Sequence, residues 1–186
     1  MSTENLDRAI AAATAVVATV TPEQLSLTTP CASWDVKGLL NHMIGATHFF
    51  ANAVEGTPPP AGDAPDFTAG DVKANYSAGT SRLQAAFGAE GVLEKMLTLP
   101  FGTMPGAAFA GMAATDVFTH AWDLAKATGQ STDLDPELSA RLLEQSKVAI
   151  QAGFRGPEGA PFGPEATAPA ESTNADRLAA FLGRTV

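Results

Sequence analysis

Asp116 and His120 stand four residues apart in Asp116-Val117-Phe118-Thr119-His120-Ala121-Trp122-Asp123-Leu124. On a helix that spacing puts their Cβ atoms about 6 Å apart, close enough to share one ion. The two interrupt a stripe of Phe109, Met112, Ala113 and Leu124, which the i, i+3, i+4 spacing predicts to be a core face. A buried carboxylate needs a partner, either a metal ion or a hydrogen-bonded neighbour in a polar corner of the core. His42 offers a third donor from a second predicted helix, one position before the core candidate Met43. If those helices are neighbours, two imidazoles and one carboxylate form a three-ligand set with open positions. That set suits a divalent ion, zinc, nickel or iron, carrying water. Asp123, three residues after His120, either orients that imidazole or pairs with Lys126 on the surface.

The other reactive residue types carry weaker signals. His48 lies six residues after His42, about 240° round the helix, and reads as a surface or interface histidine. Cys31 has no histidine nearby in sequence and reads as a small buried hydrophobe. Being the single cysteine, it is read as excluding an internal disulfide and any cysteine-based zinc site. Trp34 and Trp122 read as core aromatics. No phosphate-binding glycine motif and no serine nucleophile motif is present.

The elements that must position these residues are helical. The first helix is predicted over 3–20, with Leu6, Ile10, Ala13, Val17 and Val20 on one stripe and Ser2 or Thr3 as cap. The second runs over 35–54, with Ser33 as N-cap and Asp35 in the first turn. Residues 55–70, rich in proline and glycine, form a crossover too long for a tight helix connection. The third helix covers 71–87, burying Val72, Tyr76, Leu83 and Phe87, with Gly79 a weak spot. Residues 93–101 suggest a short hairpin or extended stretch. The fourth helix covers 105–128, with Pro105 at its first position and Gly129 just beyond its end. Asp135 caps a fifth helix to 152 with Pro136 at its first position. A Gly- and Pro-rich tail leads to a Thr173-capped helix over 174–182. Together these give an all-α chain read as one domain over 1–186.

The chain has 186 residues, 45% of them hydrophobic and 17% charged, which is enough for a sizeable core. A net charge of −9 argues against nucleic-acid partners and against docking on anionic membranes. No basic segment followed by an apolar one opens the sequence, so a cytoplasmic location is the expectation. The run 96–115 has no charged residue, but Pro100, Gly102 and Pro105 favour a buried core helix over a membrane span. Phe49 and Phe50, taken as exposed beside His48, suggest a homodimer or a cover for the crossover loop.

Thr29-Pro30-Cys31-Ala32-Ser33-Trp34-Asp35, followed by Leu39-Leu40-Asn41-His42, resembles the start of the metal-binding domain of mycothiol-dependent maleylpyruvate isomerases, within the DinB/YfiT-like superfamily. The stretch from Asp116 to Gln130, Phe162-Gly163-Pro164-Glu165, and Asp176-Arg177-Leu178 with Phe181-Leu182-Gly183-Arg184 resemble an actinobacterial branch of it. The resemblance implies a DinB-like four-helix bundle, with a long crossover between helices 2 and 3 and additional C-terminal helices. It implies a divalent metal held by His42, Asp116 and His120, with mycothiol as a cofactor. Those isomerases usually carry Glu where this chain has Asp116, and they have a further C-terminal domain, so maleylpyruvate isomerisation itself is not transferred.

Three functions follow as expectations. The first is a metal-dependent thiol transferase or isomerase that joins a small-molecule thiol to an electrophilic substrate. The second is a non-catalytic metal-binding or stress-response module. The third is a metal-free scaffold for a small ligand.

Overall fold

The computed structural model describes residues 2–31, 34–58, 65–156 and 162–186. Four long helices form a ring: α1 (Glu4–Thr19), α2 (Val36–Glu55), α3 (Val72–Gly88) and α4 (Gly106–Ala127). α1 lies along α4, α4 meets α2, α2 lies along α3, and α3 returns to α1. This is the expected DinB-like bundle, with the crossover between α2 and α3. A short antiparallel hairpin of β1 (Met96–Leu99) and β2 (Gly102–Pro105) precedes α4. The helices α5 (Pro136–Ala149) and α6 (Asn174–Phe181) pack on each other and on α4. Among the described residues no helix is long and apolar enough to cross a membrane.

Local chemistry sets the helix ends. Asp35 caps α2, its Oδ1 accepting the Gly38 amide at 2.7 Å. Ser33, the cap expected from sequence, lies outside the described residues. Asp71 caps α3 by accepting the Lys73 and Ala74 amides, each at 3.0 Å. Pro105 is not the first residue of α4. It ends β2 opposite Met96, and the ladder holds it extended, so the helix starts at Gly106. A Cβ at Gly106 would collide with the Val92 carbonyl, which explains glycine at this start. Asp135 caps α5 in a left-handed conformation (φ 30°) and accepts Arg8 Nε at 2.7 Å, tying α5 to α1. Thr173 and Asp176 cap α6 reciprocally, and Asp176 also accepts the Trp122 indole N–H at 2.8 Å.

The structure corrects several expectations about burial. On α4, Phe109, Ala113 and Leu124 are fully buried, but Met112 is 41% exposed. Meanwhile Ala114, Val117, Phe118, Ala121, Trp122 and Ala125, off that stripe, are buried too. The helix is sandwiched: α1 and α2 cover one side, and α5 and α6 cover the other. Gly79 is not a weak spot, because a Cβ there would strike the Thr47 hydroxyl, so glycine lets α3 close on α2. Phe50 is buried, leaving Phe49 as the exposed ring of the pair. Val72 is only partly buried.

Candidate metal centre

α2 and α4 bring His42, Asp116 and His120 together, with one ligand atom of each within 4.8 Å of the others. Asp116 Oδ1 lies 3.6 Å from His120 Nε2 and 3.8 Å from His42 Nε2. Both separations exceed hydrogen-bonding distance. They slightly exceed the roughly 3.3 Å that separates donors round a tetrahedral ion with ordinary zinc bond lengths. His42 Nε2 is buried with no hydrogen-bond partner among the described residues. A buried nitrogen of this kind is costly unless something else satisfies it. The donor set and this orphaned atom therefore fit a divalent cation, and a modest contraction would seat one. The His42 and Asp116 side chains are 32% and 27% exposed, so the cluster keeps a side open to solvent.

Each imidazole is held from behind. Trp34 stacks on His42, with ring centroids 4.4 Å apart at 22°, and turns its edge to His120 at 5.8 Å. The Thr29 hydroxyl shares its single proton between the Cys31 and Trp34 carbonyls, at 2.9 and 2.8 Å, which holds the backbone that carries the indole. His120 Nδ1 pairs with Asp123 Oδ2 at 3.0 Å, which directs Nε2 towards Asp116. Asp123 is completely buried and is gripped by Arg184, Nε to Oδ1 at 3.2 Å and Nη2 to Oδ2 at 3.0 Å. It orients the imidazole and makes no surface pair with Lys126, which lies over the Trp122 ring. Cys31 Sγ joins this group, 3.5 Å from Asp123 Oδ2 and 3.4 Å from Arg184 Nη2.

Cys31, His120 and Asp123 form a second convergent donor set. The Arg184 guanidinium already neutralises Asp123 there and touches the sulfur, so a cation would meet a like charge. Among the described residues no lysine or arginine makes an ion pair within the first cluster. Cys31, Trp34 and Arg184 are nonetheless site residues that sequence reasoning passed over. The only sequence signal for the first two was their place in the loop that opens α2. Arg184 gave none beyond its place in the C-terminal resemblance.

The charges are coupled. Burial alone would raise the Asp116 carboxyl, but His120, His42 and Arg184 together bring it below the usual range. Asp123 is likewise lowered against its burial, by His120 and Arg184. Burial opposes charge on His120, yet Asp116, Asp123 and Cys31 outweigh it and raise its pKa from 6.5 to about 10. The ion-free centre thus carries an imidazolium between two carboxylates. That charge stabilises the ion-free fold fully below pH 6.5, and the contribution is lost as pH rises through about 10. An ion must displace the proton. Zinc affinity is therefore expected to climb about tenfold per pH unit from 6.5 to 8.5. Competition with a chromophoric chelator measures this, and a plateau above pH 7 would show an ordinary histidine instead.

The fold and the site together define a class: a helical bundle with a histidine–carboxylate cluster between α2 and α4. Residues 6–125 match the family model for the mycothiol maleylpyruvate isomerase N-terminal domain, and the chain belongs to that family. The matched region spans α1 to α4 and contains Cys31, His42, Asp116, His120 and Asp123, while Arg184 lies outside it. The chain is also 43% identical over 180 residues to the uncharacterized protein MT0763 of Mycobacterium tuberculosis strain CDC 1551 / Oshkosh, covering 96% of this chain and 95% of that one. The uncharacterized protein Rv0738 of strain H37Rv matches to the same extent. No solved structure matches the chain.

Proposed function

We propose that this protein is a metal-dependent thiol transferase or isomerase, with His42, Asp116 and His120 holding one divalent ion and a mycothiol-type thiol as co-substrate. The observation that carries this reading is the orphaned Nε2 of His42, converging with Asp116 Oδ1 and His120 Nε2 on a partly open face. The family match supports a mycothiol-related role. A zinc, nickel or iron ion bound there supplies Lewis-acid chemistry, lowering the pKa of a thiol so that thiolate is available near neutral pH. The chain's own residues do the rest. Asp123 and Arg184 hold His120 in one orientation. Trp34 does the same for His42 and shields one flank from water. The solvent side of His42 and Asp116 leaves room for a small molecule to approach.

The test uses cobalt(II) as the ion and a low-molecular-weight thiol as titrant. Wild type is expected to bind about one cobalt per chain and to gain a sulfur-to-cobalt charge-transfer band on adding thiol, as an open coordination position requires. Cobalt bound without any such band would favour a non-catalytic metal-binding module. No cobalt bound at all would remove the metal reading.

A further inference from the structure

We propose that a pocket beside this cluster seats the electrophile, and that the electrophile is a neutral molecule with an aromatic or branched-aliphatic body and one polar end, not a dicarboxylate. The inference rests on the ion-and-thiol reading above and adds the substrate class. The pocket has a volume of about 390 Å³, within the range of small-molecule sites. Gly45, Ala46, Phe49, Phe50 and Phe67 give it apolar walls. His42 and Asp116, both members of the cluster, also line it. An occupant with an apolar body and its reactive group towards these two residues meets both surfaces.

The wall that Phe67 forms against α2 is built rather than incidental. Phe67 comes from the crossover and is held by several separate contacts. Asn41 Oδ1 accepts its amide at 2.6 Å, and Asn75 Nδ2 donates to its carbonyl at 2.9 Å. The His48 ring stacks on it at 5.1 Å. Gly45 permits the approach, since a Cβ there would lie 3.3 Å from the ring. The first of these bonds occupies the Asn41 oxygen and leaves its side-chain NH2 as a neutral donor in the lining, suited to the polar end of a neutral occupant. His48, on the far side of α2 from the cluster in sequence terms, gains a role as the backing of this wall.

Charge decides the occupant. No lysine or arginine lines the pocket among the described residues, and residues 59–64 of the crossover contain none by sequence. The nearby cations are committed elsewhere: Lys37 to Asp66 at 3.2 Å, Arg82 to Glu55 and to Asn52, and Arg184 to Asp123. The charged group in the lining is the Asp116 carboxylate, which the His120 imidazolium beside it balances, so the lining offers no net positive charge to hold an anion. An ion on the cluster would offset one negative charge of an occupant, leaving a second carboxylate desolvated against phenylalanine rings with no partner. A neutral apolar body incurs no such cost and gains from leaving water.

The experiment titrates the neutral fluorophore N-phenyl-1-naphthylamine onto the full chain, metal-free and zinc-loaded, and displaces it with acetophenone or with fumarate. Binding in both forms is expected, with displacement by the neutral ketone and not by the dianion. Gly45→Leu fills the pocket, and Phe67→Ala removes its wall. Each is expected to weaken probe binding by about tenfold or more, with zinc per chain unchanged. Fumarate competing as well as acetophenone, or both variants binding the probe like wild type, overturns the proposal. Because the metal-free titration reads the pocket alone, zinc failing to bind would defeat the thiol-transfer reading while the probe data still decide the pocket.

Discussion

His120→Ala is expected to reduce bound zinc from about one ion per chain to a trace in protein purified without chelator, since three protein donors are the usual complement of an open zinc site. The loss should exceed the roughly 10–100-fold that removal of an outer hydrogen-bonding partner costs. On this reading His120 would contribute twice, as a metal donor through Nε2 and as the residue that links Asp123 and Arg184 to the cluster. Asp116→Glu is expected to keep the ion, because the longer side chain matches the acid usual in the resembling isomerases and the present separations of 3.6 and 3.8 Å leave room for movement. Elemental analysis per chain reads both variants. Equal metal in wild type and His120→Ala, or none in either, would make Asp116 and His120 a structural pair.

Arg184→Met is expected to be among the most destabilising single changes in the protein, at about 3–5 kcal/mol, the cost of breaking a buried ion pair, because the His120 imidazolium that Asp123 keeps is already shared with Asp116. Asp123 is completely buried, and Arg184 makes two hydrogen bonds to it with only 14% of its own side chain exposed. For a chain of this size the thermal midpoint should fall by roughly 10 °C. Asp123→Asn in the same chain should restore part of the loss, because the uncompensated charge is then gone. Arg184→Lys keeps the charge but not the two-pronged grip, so it should fall between. Thermal melts of chelator-treated protein measure all three without involving the ion. A midpoint unchanged in Arg184→Met would mean that water or a shifted proton already satisfies Asp123.

How much of this was readable from the residues follows from the range of the forces involved. Asp116 and His120 share a helix, so spacing alone sets them side by side. Their pairing with His42 depends on which helices are neighbours, and the family resemblance supplied that. The caps at Asp135 and Thr173 were legible because capping is a local hydrogen bond. The burial of Val117, Phe118, Ala121, Trp122 and Ala125 was missed because the stripe assumed burial on one side, while α5 and α6 also pack on α4. Pro105 was misplaced because a hairpin ladder, a contact with Met96, decides its backbone. Gly79 looked weak because helix propensity is local, whereas the Thr47 hydroxyl opposite it is not. Arg184 reaches Asp123 from after α6, outside the matched family region, and no short-range pattern encodes that contact.

The stack of Trp34 on His42 gives the molecule an optical gauge of its own. The chain has two tryptophans, and they sit in unlike surroundings. Trp122 is buried on α4, its N–H spent on Asp176. Trp34 has its ring 4.4 Å from a candidate ligand. A paramagnetic ion such as cobalt or nickel at the cluster would quench the Trp34 emission more strongly than that of Trp122, whose ring stacks on neither candidate imidazole. Loading could then be followed in real time and without a label, and Trp34→Phe would silence the signal while leaving the donor atoms in place.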